Sequence, residues 1–273
     1  MIDQWWFQLS LGVAVGAFGT LIGAGGGFVL VPVLIFLLPK ADPAQITAIS
    51  LAVVFFNATS GSIAYFRMGR VDLKSAAWFA AATLPGAIIG ARATNWIPRR
   101  EFNLTFGILL AIVSIYLVLR PEKASEEGES TDPRHTRRSI TDADGTVHEY
   151  SFSLPLGVFL SLFVGFFSSL LGIGGGIIHV PLLNRTLNFP VHIATATSHT
   201  ILSVMALTGS LVHLAEGSLQ GHLAGTAVLG AGAVVGAQAG ARLSNRVHGK
   251  GIIRALAIAL GLVGLRLLLI NLR

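Results

Sequence analysis

The chain has 273 residues, 53% of them hydrophobic and 12% charged, with a mean hydropathy of +0.72. A soluble domain carries about 25% charged residues, so an ordinary soluble enzyme is excluded and lipid is the expected surrounding. The net charge of +6 is scattered between apolar runs, which argues against nucleic acid, and the absence of cysteine excludes disulfide, zinc-thiolate and iron–sulfur chemistry.

The N-terminus, MIDQWWFQLS, lacks a positive n-region and a cleavage site. It reads as the start of a first membrane segment, with Trp5 and Trp6 at the interface. Trp5–Pro39 contains no Asp, Glu, Lys or Arg over 35 residues. As one helix it would measure about 52 Å against a hydrocarbon core of about 30 Å. A break is therefore expected at Gly25–Gly26–Gly27. Pro43–Phe66, Ser75–Ala91 and Phe102–Leu119 follow as further apolar helices. The segment 121–151 is polar and mixed in charge, and reads as a loop. Asp144-Gly145, between Ser139–Thr141 and Thr146–His148, predicts a small hairpin turn. Asp142-Ala143-Asp144-Gly145 lacks the spacing and closing Glu of a calcium loop. Ser151–Asn184 repeats the overlong apolar run, now broken at Gly174–Gly175–Gly176, and Thr186–Ala215, Gly217–Ala241 and Ile252–Ile270 complete the chain.

The two sides of the polar loop match. GAGGGFVLVPVL at 23–34 parallels GIGGGIIHVPLL at 172–183, and Ala48–Ser50 parallels Ala196–Ser198. Thr59–Ser62 parallels Leu207–Ser210, and GAIIGA at 86–91 parallels GAVVGA at 232–237. Four matches in order, at offsets of 146 to 149, indicate duplication. The expected fold is all-α: a polytopic bundle of two inverted repeats with glycine-broken or re-entrant helices, 1–120 and 152–273, joined by a cytoplasmic loop. Inversion with that loop inside places 13 of the 19 Lys and Arg on the inner side, whereas a parallel arrangement nearly equalises the sides. Internally repeated membrane proteins of this kind are most often transporters or channels.

Helices restarting after Gly25, Gly26, Gly27 and after Gly174, Gly175, Gly176 present unpaired amides and partial positive charge. Glycine lets an anion approach that backbone closely. The alternative role of these glycines is close helix crossing. Ser50, Asn57, Ser198, His199 and Thr200 lie in the segments after the breaks and are expected to hydrogen-bond an anion, or else to bond neighbouring helices. His179 and His199 are candidates for proton coupling, since no carboxylate interrupts the apolar runs, and His213 closes the same segment. Arg92 follows GAIIGA, and Gln238 stands at the matching place with Arg242 four residues later. Catalytic sets, metal-ligand spacings and nucleotide motifs are missing, so no enzyme activity, metal or cofactor is expected.

The doubled GxGGGxxxxP, the RMGRVDL run at 67–73 and GAIIGAR at 86–92 resemble the TauE/SafE family of sulfite and organosulfonate permeases, over nearly the whole chain. The resemblance implies a multi-pass carrier of the prokaryotic cytoplasmic membrane that takes a small sulfur-containing anion. Its partners would be that anion and the bilayer, with homo-oligomerisation left open. The second half departs from the pattern, with Gly217-Ser218-Leu219-Gln220 in place of Gly-Arg-Val-Asp and Gln238 in place of Arg. An anion-selective channel and a membrane subunit without transport are the competing readings.

Overall fold

The computed structural model describes residues 4–119, 135–244 and 249–271. Residues 121–134 of the polar loop, and Arg120, Arg246 and Arg273 of the charge count, lie outside the described residues. The first half runs α1 (Trp5–Ile22), α2 (Gly27–Leu37), α3 (Pro43–Arg67), α4 (Leu73–Ala93) and α5 (Arg99–Leu119). A hairpin of β1 (Thr136–Thr141) and β2 (Val147–Phe152) follows. The second half runs α6 (Leu154–Leu171), α7 (Gly176–Pro181), α8 (Val191–Ala215), α9 (Leu223–Ser244) and α10 (Gly249–Asn271). Five of these helices (α1, α3, α6, α8 and α9) are long and apolar enough to cross a membrane. The protein is a multi-pass bundle whose outer surface is apolar, with Trp5, Trp6, Ile89, Phe163, Leu211 and Leu262 exposed.

Both overlong apolar runs are broken where the sequence places the glycines. α2 has 11 residues, about 16 Å at the helical rise, and cannot span a core of about 30 Å. Its last carbonyls, Ile35 and Leu38, and that of Ala41 accept from the Arg99 guanidinium at 2.8, 3.2 and 2.5 Å. A cation at a helix C-terminus opposes the negative dipole end and satisfies carbonyls that lipid would leave bare. In the second half, α7 continues instead into a π-helical turn, Leu182–Thr186.

The packing has a two-fold pattern. α1 lies along α9 as α6 lies along α4; α3 crosses α9 as α8 crosses α4; α3 packs on α8, and α5 on α10. Exchanging the halves carries the α1–α9 and α3–α9 pairings onto α6–α4 and α8–α4, and carries α3–α8 and α5–α10 onto themselves. The long crossings are made by small residues. A Cβ on Gly236 would lie 2.1 Å from the Val13 carbonyl oxygen, and one on Gly86 2.2 Å from that of Leu162. Helix backbones approach this closely only where the side chain is a hydrogen, which gives van der Waals contact where lipid supplies no hydrophobic driving force.

The same contacts correct one reading of the repeat. Val13 of α1 corresponds to Leu162 of α6, so Gly86 corresponds to Gly236, and Gly90 (on Phe166) to Gly240 (on Ala17). The match of GAIIGA with GAVVGA is one helical turn out of register, because Gly232, Gly236 and Gly240 offer three positions for two. The structural counterpart of Arg92 is therefore Arg242, not Gln238.

The hairpin expected at Asp144-Gly145 is present, with Arg138 paired to Tyr150 and Thr141 to Val147. Gly145 takes φ +85°, and the Asp142 carboxylate accepts from the amides of Asp144 and Thr146 at 3.1 and 3.0 Å. The hairpin docks on the loop between α3 and α4: the Ala143 amide donates to the Met68 carbonyl at 2.9 Å, and buried Arg70 reaches Asp142 at 3.8 Å and Asp144 at 3.5 Å. Tyr150 and Phe152 pack against Phe189 with tilted rings, centroids 4.5 and 4.9 Å away.

Burial opposes ionisation of Asp142, but the amides of Thr146 and Asp144, the His148 ring and Arg70 outweigh it, so its carboxyl sits below the ordinary value of 3.8. A depressed folded value means the stabilisation is complete above the unfolded value and is lost as pH falls through the folded one. Hydrogen-exchange protection of 136–152, corrected for intrinsic rates, is expected to hold down to about pH 4 and to collapse below it. An Asp142→Asn protein should show weak protection at neutral pH already. Equal protection in the two proteins at neutral pH would refute the role of the charge.

Candidate functional site

The glycine breaks are built alike. α1 closes at Gly23 (φ +82°), with the Ala24 amide on the Gly19 carbonyl at 2.8 Å, and α6 closes at Gly172 (φ +69°), with the Ile173 amide on the Ser168 carbonyl at 3.1 Å. Gly25 and Gly26 then take φ +73° and +77°, and Gly174 and Gly175 +79° and +80°. An L side chain is strained at these angles, so the reversal that restarts the helix needs glycine. α2 begins at Gly27 and α7 at Gly176, and helix geometry leaves their first amides without intrahelical acceptors.

The two restarts meet. A Cβ on Gly27 would lie 2.7 Å from the carbonyl oxygens of Gly172 and Ile173, and one on Gly176 would lie 2.3 Å from that of Gly23. Ser50 of α3 donates to the Gly172 carbonyl at 2.6 Å, and Ser198 of α8 to the Gly23 carbonyl at 3.4 Å. Each serine thus holds the hinge of the opposite half. The arrangement is packed: Gly23–Gly27 and Gly172–Gly176 are buried, with Val54 and Leu202 against Gly25, Val54 against Gly174, Val15 against Gly26 and Met205 against Gly175. Neighbouring side chains thus close the first amides of α2 and α7 off from solvent.

A second polar group lies between α1, α3 and α8. Thr20 donates to Asn57 Oδ1 at 2.8 Å, His199 Nε2 is 3.2 Å from Thr20 Oγ1, and Tyr65 donates to the Thr20 carbonyl at 2.7 Å. The Tyr65 ring stands edge-on to His199 at 5.6 Å, and Gly61 leaves room for the imidazole. Thr20, Asn57 and His199 are fully buried. Asn57 and His199 were legible as candidates, whereas Thr20 and Tyr65 were missed. Thr20 stands one turn before the break, opposite Ser169 in the repeat, and that position was the available signal.

Other candidates stand apart. Thr200 is half-buried, and its hydroxyl faces the Ala196 carbonyl of its own helix at 3.4 Å. His179 lies 3.3 Å from the Ser161 hydroxyl of α6. His213 is buried near the end of α8 with neither ring nitrogen hydrogen-bonded. Arg92 is largely exposed and 3.9 Å from Glu216, and Gln238 donates to the Ser60 carbonyl at 2.9 Å. Among the described residues, no three His, Asp or Glu side chains are grouped as metal ligands.

These features define a class: a polytopic membrane protein with two broken helices whose restarts converge at its centre. The family model Sulfite exporter TauE/SafE matches residues 9–267, and the chain belongs to that family. It is 33% identical over 264 residues to the probable membrane transporter protein YunE of Bacillus subtilis, covering 94% of this chain and 95% of the relative. A probable membrane transporter protein of Methanocaldococcus jannaschii is 25% identical, covering 95% and 93%. The probable membrane transporter protein YdhB of Bacillus subtilis is 26% identical, covering 94% and 96%. No solved structure matches. The protein is a membrane transporter of the TauE/SafE type.

Proposed function

We propose that the protein is a secondary carrier that exports a small sulfur-containing anion, sulfite or an organosulfonate, by alternating access. The observation that carries this reading is the meeting of α2 and α7 at their N-termini, each against the opposite hinge. Two half-helix dipoles directed at one point favour negative charge there, and glycine backbones allow close approach. The amides of Gly25–Gly27 and Gly174–Gly176 hold the anion once the helices part, with the hydroxyls of Ser50 and Ser198 released from their carbonyls to donate to it.

If α1 with α2, and α6 with α7, enter and leave on the same side of the membrane, or cross it twice, each half makes an odd number of crossings, three or five, and the repeats are then inverted. With 1–120 and 152–273 as the two repeats, the hairpin side carries the basic excess and faces the cytoplasm. Inverted halves rocking about a central site give alternating access without a further device.

Proteoliposomes loaded with sulfite test the proposal. Saturable efflux is expected, and a Ser50→Ala, Ser198→Ala double variant should raise the KM about tenfold, the loss of two hydroxyl donors at about 0.5–1.5 kcal/mol each. Flux that never saturates, with unitary currents in planar bilayers, would make the protein a channel. Absence of flux and of thermal stabilisation with sulfite, sulfoacetate, taurine, sulfate and thiosulfate would end the transport reading for this anion class.

A further inference from the structure

Where the hairpin meets the start of α4, residues 71–74 and 137–140 enclose an open cavity of about 310 Å³. That volume is at the lower end of small-molecule sites, about 300–1,000 Å³. Four consecutive residues of β1 line it, although side chains of a strand alternate between faces. The cavity therefore runs along the edge of the strand. Among the described residues β1 pairs only with β2, so that edge presents backbone donors and acceptors. The lining is unequal in charge. Lys74, Arg137 and Arg138 stand against one acid, Asp72. Asp72 is buried and already engaged by Ser75, Tyr150 and Arg138, whereas Lys74 and Arg137 are exposed. Glu149, opposite Ser139 on β2, does not line the cavity.

The cavity opens at the head of a lipid-facing stripe. Lys74, Trp78, Ala81, Pro85 and Ile88 are exposed along α4 at alternating spacings of four and three residues, so they share one face. Arg92, also exposed, ends that face 18 residues after Lys74, about 27 Å at the helical rise against a hydrocarbon core of about 30 Å. Lys74 thus stands at the level of the lipid headgroups, with Trp78 one turn deeper as an interfacial anchor. The positive-inside rule accounts for basic residues on this side but is indifferent to where they sit. Their convergence from two elements on one cavity is a further fact. The repeat does not share it: the Gly86–Gly236 correspondence puts Ala224 of α9 at the place of Lys74 and Val228 at that of Trp78.

We propose that this cavity binds the headgroup of an anionic phospholipid, whose acyl chains lie along the Trp78 face of α4. Lys74 from α4 and Arg137 from β1 pair with the phosphate, while Arg138, held by Asp72, borders it. Basic pockets at the membrane edge recognise anionic headgroups in this way. A soluble anion would meet the same cations but gain nothing from the apolar face below them, so the occupant is a lipid. A lipid that binds both elements favours the docked hairpin and stabilises it by mass action. The site lies at the membrane edge, apart from the glycine hinges, and takes no part in holding the transported anion.

The experiment titrates purified, delipidated protein in detergent with phosphatidylglycerol or phosphatidylcholine of the same acyl chains. Native mass spectrometry counts bound lipid, and hydrogen exchange follows residues 136–152. Phosphatidylglycerol is expected to bind about tenfold or more tightly than phosphatidylcholine and to raise protection of the hairpin. A Lys74→Gln, Arg137→Gln double variant should lose both the preference and the added protection. Its unfolding midpoint without lipid should match wild type, since both side chains are exposed. Arg67→Gln with Arg242→Gln removes two exposed charges that do not line the cavity, and should keep the preference. Equal binding of the two lipids by wild type, or a preference that survives in the Lys74, Arg137 variant, would overturn the proposal. So would a preference lost equally in the Arg67, Arg242 variant, which would reduce it to general surface charge. Glycerol phosphate, the headgroup chemistry without chains, should bind far more weakly than the lipid; equal affinity would make the cavity a site for soluble anions instead.

Discussion

Replacing Gly236 by Val is expected to destabilise the protein by about 1–3 kcal/mol or more, because overpacking here meets backbone that cannot rotate away. The new Cβ would sit 2.1 Å from the Val13 carbonyl oxygen and 2.7 Å from the Ala17 amide nitrogen. α1 and α9 must then separate, and the neighbouring contacts of Gly232 on Leu9 and Gly240 on Ala17 open with them. In lipid nothing apolar is gained by the parted faces, so the lost van der Waals contact is uncompensated. Thermal unfolding in detergent, followed by size-exclusion fluorescence, should show a clear fall in midpoint. Gly86→Val, in the matching crossing, should behave alike. Gly221→Ala is the comparator: its φ is +79° but nothing lies within 4 Å, so only backbone strain of about 1–2 kcal/mol applies. An unchanged midpoint for Gly236→Val would mean the crossing is not as close as described.

The second large effect is expected at Asp72. Its carboxylate is 4% exposed and collects donors from three elements. Oδ1 accepts from the Ser75 amide at 3.0 Å, capping α4. Oδ2 accepts from the Ser75 hydroxyl and from Tyr150 at 2.9 Å, with Arg138 Nε 3.5 Å away. The Asp72 amide donates to Thr197 of α8 at 3.1 Å. Burial raises the Tyr150 phenol above its ordinary range, and the Asp72 charge adds to the shift, so Tyr150 stays a donor. Removing one partner of a buried charged group costs about 3–5 kcal/mol. Asp72→Ala should therefore lower the unfolding midpoint and expose 136–152 to protease. Asp72→Asn should fall between, since it keeps an acceptor for the Ser75 amide and loses the charge opposite Arg138. Glu149→Ala, an exposed change on the same hairpin, should be silent. Proteolysis of Asp72→Ala at the wild-type rate would show that the hairpin is held without Asp72, by its aromatic contacts and the Arg70 and Met68 contacts.

Much of this molecule was legible in local pattern. An apolar run of 35 residues cannot be one membrane helix, and a glycine triplet is where such a run reverses; both arguments need only chain geometry and the bilayer's thickness. Asp144-Gly145 announced a turn for the same reason, since positive φ is a property of single residues. Asn57 and His199 stood out because polar groups in apolar runs are costly anywhere in lipid.

The tertiary structure decided what depends on residues far apart in the chain. Ser50 binds a carbonyl 122 residues away, and nothing around it signals that choice. Thr20 looked like any hydroxyl in an apolar helix until α8 brought His199 beside it. The pairing of Gly86 with Gly236 was hidden by a glycine on every turn of α9, which makes shifted registers look equally good in one dimension; only the facing helix, with Val13 in place, selects one. Composition and spacing determined that the chain breaks twice in the membrane. Packing between helices decided what the breaks touch, because close contact depends on shape at both surfaces and each half of the sequence writes only one of them.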